Sequence, residues 1–252
     1  MDDNYTNIYL DYNQAIIYAK YGNPEAHKHA AAHIIVAFDE PFKVIIDGKC
    51  YEEYGICIPS NCMHRIVDYK KPLLVFLYEE TAGLAKQIKF VNTLSKDFSK
   101  EIIKKYVWLT EQSENINECF MELNKFVADG LGFKVNQYKI TDERIIQSMK
   151  YIWENFEGNL KIKDVASLQN LSESRFSHLF KEQTGVSFAG YIKINRLIRA
   201  YYDIFSGKDI TFSAMNAGFS SPSHFAKTSR EIFGIRAIEL RNKVKVYYVK
   251  DM

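Results

Sequence analysis

The first third of the chain alternates short apolar runs with turn signals. In IIVAFDEPFKVIIDGKCYEEYGICIPS, β-branched stretches are broken at Glu40-Pro41, Asp47-Gly48, Gly55 and Pro59. Strands this short and this closely spaced predict a sandwich or barrel over residues 1 to about 83. The period then lengthens. Ser95 and Asp97 can cap a helix that carries Ile102, Ile103, Tyr106 and Leu109 on one face. After Ser113, Ile116, Phe120, Leu123 and Val127 recur at helical spacing until Gly130 and Gly132 stop the run. Two apolar stripes need partners. We expect one of these helices to pack on its own barrel and the other, with the Ile116, Phe120, Leu123, Val127 stripe, to form a dimer interface.

After the connector LGFKVNQYK, Thr141-Asp142 can cap a helix bearing Ile145, Ile146, Met149, Ile152, Trp153 and Phe156. From there the pattern is almost wholly helical, punctuated at Gly158-Asn159, Gly185, Gly207, Gly218 and Gly234. This gives three segments: a barrel over 1–83, a helical dimerisation and linker segment over 84–140, and a helical domain over 141–252. The fold class is α+β.

The helical domain contains a degenerate repeat, IKDVASLQNLSESRFSHLFKEQTG and ITFSAMNAGFSSPSHFAKTSREIFG. Ile162 matches Ile210, Ala166 matches Ala214 and Leu171 matches Phe219. One residue later in phase, Phe176 matches Phe225 and Gly185 matches Gly234. Each copy has the same logic. A small residue, Ala166 or Ala214, lets a second helix cross closely. A turn follows at Gln169-Asn170 or Ala217-Gly218, then an apolar plug, Leu171 or Phe219. Ser172 or Ser221 can N-cap the next helix, with Pro222 at its first position, where a missing N–H is harmless. Phe176, Leu179 and Phe180 point inward in one copy, and Phe225, Ile232 and Phe233 in the other. Helix, tight turn, capped helix is the helix-turn-helix plan, whose second helix enters the major groove. Between the copies, FAGYIKINRLIRAYYDIFSG places Tyr191, Ile194, Ile198 and Tyr201 on one face of a long connecting helix.

Composition adds little except an asymmetry. Residues 141–252 hold 17 Lys and Arg against 12 Asp and Glu, a charge of +5, and residues 1–140 hold 16 against 19, a charge of −3. A basic half beside an acidic one suits a nucleic-acid partner. The acidic, polar N-terminus is not a secretory signal, and no apolar run is long enough to span a bilayer, so a cytoplasmic protein without membrane contact is expected. Cys50, Cys57, Cys62 and Cys119 form no CxxC pair and are expected to be reduced.

The spaced motifs over about residues 142–242 resemble the AraC/XylS family of transcriptional regulators. They are Ala166-x5-Ser172, Phe180-Lys181-x3-Gly185, Asn195-Arg196-Leu-x2-Ala200, Gly218-Phe219-x3-Ser223-x-Phe225 and Gly234-x4-Glu239-Leu-Arg241. Two positions depart from the family pattern: Ser229-Arg230 stand where Phe-Lys is usual, and Arg236-Ala237 where a Pro is usual. The resemblance implies a sequence-specific DNA-binding regulator, not an enzyme. Double-stranded promoter DNA is the expected partner, with a homodimer, and RNA polymerase if the protein activates.

The DNA-facing candidates are Ser174, Arg175, Ser177, His178 and Lys181 in the first unit, and Ser223, His224, Lys227 and Arg230 in the second. Of these the resemblance assigns base reading to Ser174, Ser177, His178, Ser223 and Lys227. Ala226 shares the second face, and Lys181, Arg199, Lys208 and Arg230 are candidates for phosphates. Few of these make the bidentate Arg–guanine contact that dominates direct readout, so phosphates and DNA shape are expected to carry a larger share.

Asn23-Pro24-Glu25-Ala26-His27-Lys28-His29 and Pro59-Ser60-Asn61-Cys62-Met63-His64 resemble the two cupin motifs, with Asn61 in place of a Gly. The resemblance implies a cupin-like effector barrel at the N-terminus. His27, His29 and His64, with Cys62, are its candidate effector or metal ligands, and imidazoles suit Zn, Fe or Ni. The usual Glu after the second His is missing, with Ala30, Ala31, Ala32 and His33 there instead. That argues against bound metal and for an unknown small-molecule effector. A metal-dependent cupin enzyme or metal sensor is the alternative reading. The aromatic-rich first half, with Tyr9, Tyr12, Tyr18, Phe38, Phe42, Tyr51, Tyr54, Phe76 and Tyr78, suits either a ring-bearing ligand or a barrel core.

Overall fold

A computed structural model describes residues 6–11, 14–20, 26–28, 31–78, 82–134, 140–155, 160–233 and 244–249. The chain divides into two compact units, Met1–Val135 with Arg230–Asp251, and Asn136–Ser229.

Among its described residues the first unit holds ten strands: β1 (Thr6–Leu10), β2 (Gln14–Lys20), β3 (Ala32–Ala37), β4 (Phe42–Ile46), β5 (Lys49–Glu53), β6 (Gly55–Ile58), β7 (His64–Val67), β8 (Pro72–Tyr78), β9 (Asn92–Thr93) and β10 (Val244–Tyr248). They form a seven-stranded sheet in the order β10-β1-β2-β8-β3-β6-β9 and a three-stranded sheet in the order β5-β4-β7. The turn signals fall where expected. Asp47 and Gly48, both with positive φ, join β4 to β5 as a two-residue hairpin turn. β8 and β3 are buried along their whole length, and His33 is the one polar residue in their otherwise apolar or aromatic runs.

What covers one face of the large sheet is a helix pair, α1 (Lys96–Gln112) and α2 (Ile116–Gly130). Ser95 caps α1, its Oγ accepting from the Phe98 N–H, and Asn115 caps α2. Ile102, Ile103, Tyr106 and Leu109 of α1 join Phe120, Leu123 and Val127 of α2 in one core with Tyr9, Ile16, Tyr18, Ile34, Leu74, Phe76 and Tyr78 of the sheet. The stripe expected to form a dimer interface is therefore core. Leu123 is 3% exposed and Val127 0%, because both helices, not one, use their apolar stripe to cover the sheet. Tyr78 donates from its hydroxyl to the Asn124 carbonyl oxygen at 3.0 Å inside this layer. Gly55 lies where α1 comes close to the sheet: a Cβ there would lie 2.6 Å from Ser99 Oγ of α1.

β10 departs from the sequence reading, which ran helix to the end. VKVYY pairs parallel to β1, from Thr6 with Val244 to Leu10 with Tyr248. The last strand thus packs with the first unit, not with the helical domain expected over 141–252.

The second unit is helical: α3 (Glu143–Glu154), α4 (Ile162–Leu168), α5 (Glu173–Thr184), α6 (Phe188–Phe205), α7 (Ile210–Asn216) and the start of α8 (Pro222–Phe233). Asp142 caps α3 as expected. Tyr191, Ile194, Ile198 and Tyr201 of α6 are all buried. Phe156, Gly158-Asn159 and Gly234 lie outside the described residues, as do the side chains of Trp153, Ile232 and Phe233.

Candidate nucleic-acid interface

The two copies of the repeat fold alike. α4 ends in a turn where Asn170 takes a positive φ of 53°, and α7 in one where Gly218 takes 84°. In each, the residue after the turn donates its N–H back to the small residue: Leu171 to the Ala166 carbonyl at 3.0 Å, Phe219 to the Ala214 carbonyl at 3.1 Å. Ala166 and Ala214 are buried, so the close crossing they were expected to permit is made. Ser172 Oγ then accepts from the Arg175 N–H, and Ser221 Oγ from the His224 N–H, capping α5 and α8. Gly218 has a second reason to lack a side chain: a Cβ there would sit 3.1 Å from Arg196 Nε of α6.

Each second helix has one face in the core. Phe176, Leu179 and Phe180 of α5 are buried, as is Phe225 of α8. The opposite faces are open. On α5, Ser174, Arg175, His178 and Lys181 are exposed and Ser177 is half-buried. On α8, Ser223, His224, Ala226, Lys227 and Arg230 are exposed. Ser174, Ser177, His178 and Lys181 follow the i, i+3, i+4, i+7 rule, and Ser223, Lys227 and Arg230 the i, i+4, i+7 rule, so each set lies on one helix face. His224 is partly engaged already. Its Nδ1 lies 3.0 Å from Ser220 Oγ, and its ring stands edge-on to Phe219 at 5.3 Å. That assigns it to the turn as much as to a ligand.

One of the cations considered for phosphates, Lys208, is tied up inside the unit. Lys208 Nζ bonds Asp203 Oδ1 at 2.8 Å, and Asn216 Nδ2 bonds Asp203 Oδ2 at 2.7 Å. Asp203 on α6 is 1% exposed. Burial opposes its ionisation, but the Lys208 and Asn216 bonds outweigh that and hold its carboxyl below the usual range. The charge of Arg199 acts in the same direction. Asp203 thus fixes α7 to α6, a role that sequence spacing did not reveal.

The histidines of the first unit come together differently from the cupin-like expectation. His27 and His64 exchange backbone hydrogen bonds at 3.0 and 2.9 Å, and their rings are 4.6 Å apart. His29 lies outside the described residues. Cys62 contributes its carbonyl, not its thiol, which accepts from His64 Nδ1 at 3.0 Å. The third ring is His33 of β3, 4.9 Å from His64. The alternation of AHIIVA puts His33 opposite Ile34 and Val36, on the face that meets β7. Burial pushes the His64 pKa down to about 4, helped by the charge of His27 and opposed by the Cys62 carbonyl and Asp47. Among the described residues no group of three His, Cys, Asp or Glu side chains could hold a metal ion. The four cysteines are free thiols, with Cys57 raised to about 12 by burial.

Comparison with known proteins agrees with this geometry. Residues 165–243 match a helix-turn-helix domain model. The chain is 30% identical over 104 residues to the regulatory protein PocR of Salmonella typhimurium, covering 41% of this chain and 34% of PocR. It is 26% identical over 190 residues to the HTH-type transcriptional activator RhaS of Mannheimia succiniciproducens, covering 74% of this chain and 69% of that one. The chain thus spans about a third of the length of PocR. Among solved structures, ToxT from Vibrio cholerae aligns over 90% of this chain and 95% of its own at 12% identity, with a TM-score of 0.49. With its paired capped turns and its two exposed polar helix faces, the helical half of the chain carries the helix-turn-helix domain that residues 165–243 match, and it is similar there to the regulators PocR and RhaS.

Proposed function

We infer that this chain is a transcriptional regulator that binds double-stranded promoter DNA through α5 and α8. One observation carries the reading: two capped helices at equivalent places in a repeat each bury an aromatic face and expose a polar one, joined by the 18-residue α6. A helix of that length spans about 27 Å, which suits two reading heads meant for successive major-groove segments about 34 Å apart. Lys181 and Arg230 serve phosphates, and Ser174, Ser177, His178, Ser223 and Lys227 face bases. The RhaS relative is named an activator, which favours recruitment of RNA polymerase over simple blocking. The first unit is a cupin-like effector domain for a small molecule, and the protein works in the cytoplasm. Among the described residues no helix is long and apolar enough to cross a membrane.

A homodimer remains part of this reading but on another surface. The outward side of α1, where Trp108 is 55% exposed beneath Lys105, replaces the buried α2 stripe. The enzyme alternative loses its support, since the relatives are regulators by name.

The test is a gel shift of the full chain on DNA upstream of its own gene across a salt series. Binding that weakens steeply with salt is expected, because several phosphates are neutralised. A flat salt response, or no binding at low salt, refutes the reading.

A further inference from the structure

β5 is an edge of the three-stranded sheet, and among the described residues it pairs with β4 alone. The strand at the other edge, β7, is bonded again beyond β4, where His64 exchanges backbone hydrogen bonds with His27. Along β5, Lys49, Cys50 and Glu52 are exposed and Tyr51 and Glu53 are half-buried, so both faces of the strand reach solvent. Its two-residue turn with β4 fixes which backbone groups are spent. In such a hairpin the residues flanking the turn exchange both of their hydrogen bonds, and every second pair after them does the same. The register then makes Ile46 with Lys49, Val44 with Tyr51 and Phe42 with Glu53 the bonded pairs. The N–H and C=O groups of Cys50 and Glu52 therefore point away from β4. They form a short row that a further strand can bond.

Side chains decide which strand that is. Set against itself in the antiparallel sense about Tyr51, the segment KCYEE places Lys49 opposite Glu53 of a second copy, Cys50 opposite Glu52, and Tyr51 opposite Tyr51. The Cys50 and Glu52 pairs are the ones with outward backbone groups, so on each side of the two-fold axis they exchange both N–H···O bonds, and the two Tyr51 residues meet at the close, unbonded position. Lys49, Tyr51 and Glu53 share one face of the strand. Lys49 Nζ lies 5.0 Å over the Tyr51 ring, which keeps it on the face where Glu53 of the second copy stands. On the other face Glu52 is matched inside its own hairpin by Lys43 at 3.7 Å, so facing Cys50 brings it no like charge. Other registers are opposed. Centring on Glu52 sets two carboxylates face to face, and an in-register parallel pair sets Lys49 against Lys49. We propose that β5 is a self-recognition edge, at which two copies of this chain join their three-stranded sheets antiparallel about Tyr51. An edge this short buries far less than the roughly 800 Å² per partner of a standard interface, so the contact is weak and reversible by itself. It uses none of the α1 residues. With both surfaces engaged, copies build past the dimer.

The test is disulfide cross-linking of the full chain, with Cys50→Ser and Cys62→Ser to remove the two thiols that are not buried. In that background Tyr51→Cys sets two thiols directly opposite, at a Cα spacing of about 4.5 Å, within the roughly 4.4–6.8 Å that a disulfide spans. Mild oxidation is expected to give a covalent dimer on a non-reducing gel. Glu53→Cys is expected to give none by itself, because its twin stands beyond the roughly 7 Å at which bridging fails. Mixed with a Lys49→Cys chain, it is expected to link. That mixed pair keeps Tyr51 in place and reads the same register a second way. Adding Lys49→Glu to the Tyr51→Cys chain is expected to slow linking at least about threefold, and adding Glu53→Lys as well to restore it. Three results overturn the edge: no dimer from either Tyr51→Cys or the mixed pair, Glu53→Cys alone linking as fast as Tyr51→Cys, or linking indifferent to Lys49→Glu. No DNA enters the measurement, so its outcome bears on this edge and not on the DNA-binding reading.

Discussion

Ser229, late in α8, shares a hydrogen bond with the hydroxyl of Tyr201 on α6, and both side chains are buried. The AraC/XylS pattern usually has Phe at this position. Here a hydroxyl pair, with Tyr201 standing edge-on to Phe225 at 5.5 Å, joins the second reading helix to the connecting helix. Ser229→Ala or Tyr201→Phe alone removes one side of this buried bond and is expected to cost about 1–3 kcal/mol. The double variant is expected to cost less than the sum of the two. Denaturant unfolding followed by circular dichroism checks this, and strictly additive losses would show that the bond contributes nothing specific.

Lys227→Ala is expected to weaken promoter binding by roughly 1–3 kcal/mol and to relax preference at one base position. Lys181→Ala is expected to weaken all sequences alike and to reduce the salt slope by about one. Binding measured on the promoter site and on a panel of single-base variants distinguishes the two. Uniform weakening by both variants would reassign Lys227 to the phosphates.

Leu123 sits 3% exposed between α1 and the sheet. Leu123→Glu is therefore expected to destabilise the first unit by at least about 3 kcal/mol, since it removes a core side chain and buries a charge. Trp108→Glu, on the exposed side of α1, is expected to leave stability within about 0.5 kcal/mol and to shift any dimer toward monomer in sedimentation. A Leu123→Glu protein as stable as wild type would place the stripe at a surface after all.

The buried His64 has its pKa lowered to about 4, below the unfolded value of about 6.5. The unfolded chain therefore takes up a proton that the folded one refuses. Stability is full above about pH 6.5, falls as pH drops from there toward 4, and changes no further below it. The loss is about 3 kcal/mol over that window. His27 and Asp47 act on the same ring. Thermal unfolding between pH 8 and pH 4 checks this, with His64→Gln expected to flatten the profile. A wild-type profile already flat there would mean that His64 is solvated.

Much of the helical unit was legible because its signals are local. Asp142, Ser172 and Ser221 cap where a capping residue precedes an apolar period, and Asn170 and Gly218 sit where a turn needs a positive φ. The stripe on α2 was legible as a stripe but not as core. Periodicity fixes which face is apolar and says nothing of what covers it. His33 carried a readable signal, since strand alternation places it with Ile35, away from Ile34. Its pairing with His64 depends on how two sheets meet, which no local pattern states. Asp203 is likewise silent in sequence, because its partners Lys208 and Asn216 matter only once α7 has turned back on α6. β10 was missed for a different reason. VKVYYV has the β-branched and aromatic residues of a strand, but its partner, β1, is at the far end of the chain.

That distance has a bearing on how the protein is made. Synthesis at roughly 5–20 residues per second delivers β1 well before β10, so for on the order of ten seconds β1 lacks this partner while the whole helical unit emerges. Its open row of N–H and C=O groups is a template for any extended segment nearby, including β10 of a neighbouring chain. A message that stops anywhere ahead of Val244 makes that edge permanent. Such truncated chains are expected to be found in the insoluble fraction even where the helical unit they carry has folded.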